Sequence, residues 1–191
     1  MEKRLILITS PPACGKTRLA KRLATELPNS VYLDKDSLIP LSKQIFKVAR
    51  KPYNRSSAFF NKQVRDFEYE VILNQGYEAI KYADTVIINA PFSKEVRSRE
   101  YMQELKTRFE TVGAKILVIW ISVTPELCRK RMFKRNSDRD KWKIENWDEY
   151  VKTVNFDPPE MSDDELFIHK NSNDTEADEY FAKLLLKLQN G

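Results

Sequence analysis

The stretch Leu5-Ile-Leu-Ile-Thr-Ser-Pro-Pro-Ala-Cys-Gly-Lys-Thr17 decides the fold of this chain. Leu5 to Ile8 is an unbroken apolar run and reads as a buried strand. Ser10 to Gly15 reads as a tight loop. From Lys16 onward, Leu19, Ala20, Leu23, Ala24 and Leu27 recur at spacings of three and four, which predicts a helix that Pro28 stops. Strand, loop and helix in this order, with Gly15-Lys16-Thr17 at the join, match the pattern of Gly, four residues, then Gly-Lys-Ser/Thr. Ser10 stands where the first glycine of that pattern would be.

Each part of the loop suits a phosphate. Gly15 lets the backbone approach anionic oxygens without a Cβ in the way. Backbone N–H groups at the start of the helix point toward the anion. Lys16 brings a point charge to the β- and γ-phosphates, and the Thr17 hydroxyl can ligate Mg²⁺. Pro12, Ala13, Cys14, Gly15, Lys16, Thr17 and Arg18 are therefore the expected contacts to ATP. The alternative is a plain strand–turn–helix corner with a surface lysine, and the flanking elements argue against it. Cys14 is a small residue filling a loop position, and its nearness to a helix N-terminus also raises sensitivity to oxidation.

Working outward, short apolar runs alternate with helix-period segments, the pattern of an α/β fold with a parallel sheet. Val31-Tyr32-Leu33 is a second strand ending at Asp34. Residues 37–65 contain Pro40, Pro52 and Asn54-Arg55-Ser56-Ser57, and read as a short helix and a loop standing off the sheet as a cap. A long helix runs to about Ala83, with Tyr69, Ile72, Leu73, Gly76, Ala79 and Ile80 in period. Thr85 to Asn89 is the third strand and Lys115 to Val123 the fourth. Between them lies a helix carrying Met102, Leu105, Phe109 and Val112, with Gly113 at its C′ position. Thr124-Pro125-Glu126 opens the next helix with a capping hydroxyl, a proline and an acid. Leu166 to His169 is the fifth strand, and the last helix starts near Thr175. The expectation is one domain over 1–191 with a five-stranded parallel sheet.

The chain has 191 residues, 41% of them apolar, with 33 basic and 28 acidic side chains and a net charge of +5. That is enough for a packed core and too little for two full catalytic domains. The mild basic excess suits an anionic ligand such as a nucleotide and is weak evidence for nucleic acid. Two cysteines far apart form neither a disulfide framework nor a zinc pattern and fit a reducing, cytoplasmic setting. The first residues read as a strand leading into the loop, not as a targeting signal. No apolar stretch approaches membrane-spanning length.

Asp34-Lys35-Asp36 follows the second strand directly. Ligands of open α/β sheets gather at the carboxyl ends of strands. Phosphoryl transfer to a hydroxyl needs a group that orients the acceptor and takes its proton, a role for Asp36, with Asp34 on the same side of an extended chain. The competing reading is that Asp36-Ser37 caps the following helix. The third strand ends in Asn89, an amide where an acid would help to hold Mg²⁺. Either Asp34 supplies that charge, or Thr17, water and phosphates suffice. The missing acid argues against a motor-type ATPase.

Residues 129–143 hold eight basic side chains. Arg131 and Arg135 share a helix face, and Arg139 follows in the loop beyond. Beside a phosphate loop this segment reads as a lid whose arginines close on ATP; without one it would read as a solvated helix. Trp142 and Trp147 read as packing of the lid on the body in preference to base stacking. His169 is structural, and Asn171 lies in a turn that can reach the adenine. In the cap, Arg50, Tyr53, Arg55 and Arg65 are candidate acceptor-binding groups.

These motifs resemble the bacterial P-loop kinases: zeta-toxin-like kinases, chloramphenicol phosphotransferase, gluconate kinase and the kinase domain of polynucleotide kinase. Over nearly its whole length the chain is similar to small "AAA family ATPase" proteins. The resemblance implies a nucleoside-kinase-like three-layer sandwich, Lys16 and Thr17 on ATP·Mg²⁺, Asp36 as acceptor base, and Arg131 or Arg135 on the phosphates. Ser10 and Asn89 depart from the family pattern. Three functions remain open at this level: a kinase of a small hydroxyl metabolite, sugar or antibiotic; a 5′-hydroxyl nucleic-acid kinase; and a nucleotide-binding switch without turnover.

Overall fold

The computed structural model describes residues 3–137 and 140–190. The strands are β1 (Lys3–Thr9), β2 (Ser30–Asp34), β3 (Thr85–Asn89), β4 (Ala114–Ser122) and β5 (Leu166–Lys170). They form one sheet in the order β2-β3-β1-β4-β5, with every neighbouring pair parallel. The helices flanking the central strands are α1 (Lys16–Glu26), α4 (Arg65–Ala79), α5 (Arg99–Glu110), α6 (Pro125–Arg135) and α9 (Asp174–Asn190).

Two apolar layers explain why β1 shows no alternation in sequence. Leu5 and Leu7 point to one face, where they meet Tyr69, Ile72 and Leu73 of α4 and Met102, Leu105 and Phe109 of α5. Ile6 and Ile8 point to the other, onto Leu19, Ala20 and Leu23 of α1, Cys128 of α6 and Phe181, Leu184 and Leu188 of α9. A strand covered on both faces needs apolar side chains at every position. All four of these β1 side chains are fully buried, each contributing roughly 1.5–3 kcal/mol by removal from water. The sheet is thereby pinned at its centre, and the loop after Thr9 inherits a fixed origin.

Helix starts follow the sequence signals. The Thr124 hydroxyl accepts from Leu127 N at 3.3 Å ahead of Pro125, and the Ser98 hydroxyl accepts from Tyr101 N at 3.2 Å. Two boundaries differ from expectation. The long helix ends at Ala79, because residues 80–83 turn back and Asp84 N donates to Asn29 O at 3.1 Å, steering the chain into β3. Gly113 takes φ +70 one residue past the expected position, in the turn that enters β4.

The cap is more helical than its prolines and polar run suggested. A 3-10 turn, Lys35–Leu38, leads into α2 (Ile39–Val48), and α3 (Ala58–Gln63) precedes α4. Pro40 falls in the first turn of α2, where its missing N–H costs nothing. Phe46, Phe60 and Val64 make a small core of their own, with Phe59 edge-on to Phe46 at 4.9 Å. Beyond α6 come two short helices, α7 (Lys141–Glu145) and α8 (Trp147–Lys152). No helix among the described residues is long and apolar enough to cross a membrane.

Phe109 is fully buried on α5 and packs edge-on against Tyr77 at 5.6 Å. Phe109→Ala is expected to lower unfolding stability by about 3–5 kcal/mol, read by denaturant titration. A loss below about 1 kcal/mol would mean that α5 is not part of the cooperative core.

Candidate functional site

The loop from Ser10 to Gly15 leaves the carboxyl end of β1 and turns twice through the left-handed region, at Ala13 with φ 64 and at Gly15 with φ 102. Ser10 is not one of these positions, so the serine in place of glycine carries no backbone strain. Gly15 is required for two reasons. Its φ disfavours a side chain, and a Cβ there would lie 2.5 Å from Nδ2 of Asn171. Asn171, just after β5, presses against the loop and donates from Nδ2 to Cys14 O at 2.7 Å. Arg131 of α6 donates to Asn171 O at 2.8 Å and to Cys14 O at 3.5 Å. Asn171 and Arg131, expected on the adenine and the γ-phosphate, thus both hold the loop itself.

The Lys16 ammonium folds back over the loop. It donates to Ser10 O and Pro11 O, both at 3.0 Å, and to Ser10 Oγ at 3.3 Å. Ser10 is fully buried and its hydroxyl donates to Pro11 O at 3.0 Å. The serine therefore provides an acceptor for the lysine that a glycine would lack. Withdrawal from water pushes the Lys16 pKa down to about 8; the charges of Cys14 and Asp36 oppose this, while that of Arg135 adds to it.

Beside the loop, four side chains form one polar chain. Asn89 Nδ2, at the end of β3, lies 3.0 Å from Thr17 Oγ1, 2.9 Å from Asp34 Oδ2 and 3.3 Å from the Tyr32 hydroxyl. The Tyr32 hydroxyl donates to Asp34 Oδ2 at 2.6 Å. Burial and that bond push the Tyr32 pKa up, which keeps the phenol a donor. Thr17 and Asp34, the two oxygens considered for a divalent cation, are thus gathered about one amide nitrogen. Asp34 Oδ1 accepts from Asp36 N at 2.9 Å. The stretch after β2 is a 3-10 turn rather than an extended strand, and Asp34, not Asp36, is its cap. Asp36 is exposed on that turn and its charge reaches Lys16.

The turn is anchored by residues that sequence reading passed over. Lys35, almost fully buried, donates to Glu68 Oε2 at 2.5 Å. Ser42 donates to Glu68 Oε1 at 2.5 Å, and Arg55 forks onto both carboxylate oxygens at 2.9 and 2.7 Å. Burial pushes the Glu68 pKa up, but bonds from Lys35, Ser42 and Arg55 outweigh it and hold it below the usual carboxylate value. Arg55 is consequently committed to the fold, and Arg65 is likewise paired, with Glu95 at 2.5 Å and Asp66 at 2.9 Å. Neither is a free anion receptor. Tyr53 packs edge-on to Phe46 at 5.3 Å, and Arg50 is exposed. The only hint in the sequence was Glu68 in an otherwise apolar register of α4.

In the basic segment expected to form a lid, Arg135 binds Asp140 through Nε at 2.8 Å and a terminal nitrogen at 2.5 Å, and Asp140 is fully buried. The arginine is close enough to act on Lys16 yet is held by an acid inside the basic run. Arg139 lies outside the described residues. Arg18 turns to the surface and pairs with Asp174 at 2.6 Å, away from the loop interior. Trp147 packs beside the lower core under the Arg129 guanidinium at 5.5 Å, as read, whereas Trp142 is half exposed. His169 is buried, and burial pushes its pKa down to about 4, in keeping with a structural role.

Known structures share this fold. A candidate kinase of Chloroflexus aurantiacus superposes with a TM-score of 0.64 at 18% identity, over 100% of this chain and 98% of its own. A gluconokinase of Sinorhizobium meliloti gives 0.58 at 13% identity, over 98% and 97%. Kti12 of Chaetomium thermophilum, solved with ADP-AlF3, gives 0.57 at 19% identity, over 96% and 98%. At such identities the likeness establishes the fold. No curated protein matches the sequence. Residues 5–156, from the first core leucine to the end of the lid side, match the family described as an AAA domain, and the chain therefore belongs to that family, as a P-loop domain of kinase-like fold.

Proposed function

We propose that the protein is an ATP-dependent phosphotransferase that moves the γ-phosphate to a hydroxyl of a small-molecule acceptor. The observation that carries this reading is the polar chain Thr17–Asn89–Asp34–Asp36. It links the phosphate loop to an exposed carboxylate at the neighbouring strand end. A motor-type site would want an acid at the end of β3 to position water; here an amide stands there and the carboxylates sit on the next strand. The kinase-like fold is consistent with this division.

The residues suit the nucleotide. The bare α-carbon of Gly15, the loop amides and the Lys16 ammonium, satisfied only by loop oxygens, form a cradle for phosphate oxygens. Thr17 and Asp34 would hold Mg²⁺, which supplies charge neutralisation on the phosphates when bound. Lys16 exchanges its loop oxygens for phosphate oxygens and stabilises charge on the transferring group. Asp36 orients the acceptor hydroxyl and accepts its proton. Arg131 keeps the loop and the turn after β5 in register, and Arg135, steadied by Asp140, adds positive potential near Lys16. With Arg55 and Arg65 already paired, the acceptor is recognised chiefly by other groups of the cap.

The test is transfer from labelled ATP to a panel of sugars, antibiotics, small alcohols and 5′-hydroxyl oligonucleotides. Asp36→Asn is expected to lower kcat on the best acceptor by about 10²–10⁴-fold with ATP affinity little changed. Equal turnover in both proteins would remove Asp36 from the chemistry, and transfer confined to oligonucleotides would move the acceptor to nucleic acid. No transfer to any member, with tight ATP binding, would favour a switch.

Lys16 offers a second check. With a free-state pKa of about 8, it is partly neutral in mildly alkaline solution, and bound polyphosphate pulls the proton back. ATP binding near pH 8 should take up protons, seen as buffer-dependent calorimetric heat. Affinity should fall as pH rises from 7 through 9. Lys16→Ala should weaken ATP binding by about 10–100-fold and abolish the proton uptake; undiminished affinity would defeat the assignment of the loop.

A further inference from the structure

The chain has two cysteines, and the fold brings them together from 114 residues apart. Cys14 lies in the phosphate loop between the two left-handed residues, and Cys128 lies on the first turns of α6. Both are free and buried, at 1% and 0% exposure, and their sulfurs are 3.2 Å apart. We infer that Cys14 and Cys128 are a covalent modification site, a dithiol that a hydroperoxide converts into a disulfide, pinning the phosphate loop to α6 and weakening nucleotide binding. This rests on the nucleotide reading of the loop.

The chemistry balances. The Cys14 thiolate attacks one peroxide oxygen: an S–O bond forms, the O–O bond breaks and hydroxide leaves, so that sulfur is oxidised by two electrons to a sulfenic acid. The Cys128 sulfur then attacks the Cys14 sulfur: the S–S bond forms, the S–O bond breaks, and the leaving hydroxide takes the Cys128 proton as water. The sum is two thiols and one hydroperoxide giving a disulfide and, for hydrogen peroxide, two waters. The two thiols are suited to these different parts. A hydrogen bond from Cys128, the charges of Lys16 and Arg131 and a bond from Ser10 hold the Cys14 pKa down against burial. Cys14 and burial push that of Cys128 up. The first is thus the nucleophile and the second keeps its proton until the sulfenic acid forms. A small peroxide is the oxidant suited to sulfurs this buried. Ala13 and Gly15 on either side of Cys14 are only half buried.

The consequence follows from geometry. A disulfide needs about 2.05 Å between sulfurs, so the present gap must close by about 1.2 Å. Cys14 O is already fixed by Asn171 and Arg131, and its neighbours sit in backbone conformations with little room to adjust. The pull therefore acts on the loop amides, and donors moved by about 1 Å leave hydrogen-bonding range of the oxygens they serve.

The test uses the full chain, reduced with dithiothreitol and then exposed to hydrogen peroxide without nucleotide. Intact mass should fall by two hydrogens, and a non-reducing peptide map should join Cys14 to Cys128. ATP affinity by calorimetry should drop at least about tenfold, the loss of one hydrogen bond to a charged group, and return with dithiothreitol. Cys128→Ala should lose the crosslink and gain oxygen instead; Cys128→Ser replaces it if melting shows that the alanine variant is unfolded. Two thiols that survive peroxide, oxygen addition without crosslinking in the parent protein, or a crosslinked protein with the affinity of the reduced one would each overturn the inference. Reduced protein that binds no ATP would instead overturn the nucleotide reading, while the mass measurement still decides the crosslink.

Discussion

The contact between the phosphate loop and the turn after β5 depends on residue 15 having no side chain. With Gly15 at φ 102 and Asn171 in the space a Cβ would fill, the loop after β1 can lie flat against the turn after β5. Arg131 from α6 then closes the contact by donating to carbonyls on both sides. Three elements far apart in sequence are joined here through one short stretch of backbone. The buried strands bring them to the same edge; the bare α-carbon lets them touch. The loop is thus preorganised by neighbours that need not touch a ligand, which is how a fixed array of amide donors is maintained in water.

The cap obeys a different constraint. Its own apolar core is small, only Phe46, Phe60 and Val64 with Phe59 against them, and apolar burial alone does not fix its orientation. The Glu68 carboxylate supplies the direction. It gathers Lys35 from the strand side, Ser42 from α2 and Arg55 from the loop ahead of α3. Such a buried ionic cluster is weak evidence for net stability, but removing its only acid would strand two cations, a loss of about 3–5 kcal/mol. Its effect is specificity of placement: the turn carrying Asp36, α2 and the loop ahead of α3 are all tied to one carboxylate on α4.

The sheet was legible because a doubly covered parallel strand must be apolar along its covered length, and the runs Leu5–Ile8, Val86–Ile88 and Ile116–Ile121 are. The helix start at Thr124 was legible from its capping hydroxyl and proline, and the start at Ser98 obeys the same local rule. The loop was legible from Gly15-Lys16-Thr17 and its flanks. What escaped was set by partners distant in the chain. Nothing near Asn171 says that it meets Gly15. The pattern of α4 does not distinguish Glu68 buried among cations from a surface acid. The basic run of α6 concealed Asp140, which fixes Arg135. Asn89 was noticed as an absence of charge, whereas in three dimensions it is a hydrogen-bond donor that collects the oxygens around it. The cap reads in sequence as one short helix and a loop; α3 escaped because Pro52 and Asn54-Arg55-Ser56-Ser57 read as loop, while Pro40 sits where a helix tolerates it.

The Asp34 carboxylate has one oxygen turned to Asn89 and thus to Thr17, and the other turned to the amide of Asp36. The two oxygens of a carboxylate belong to one rigid plane. Any tilt of that plane therefore alters both neighbours at once, and the Thr17 end of the phosphate loop and the turn after β2 share a single mechanical coordinate. A probe fixed on one half would report strain applied to the other.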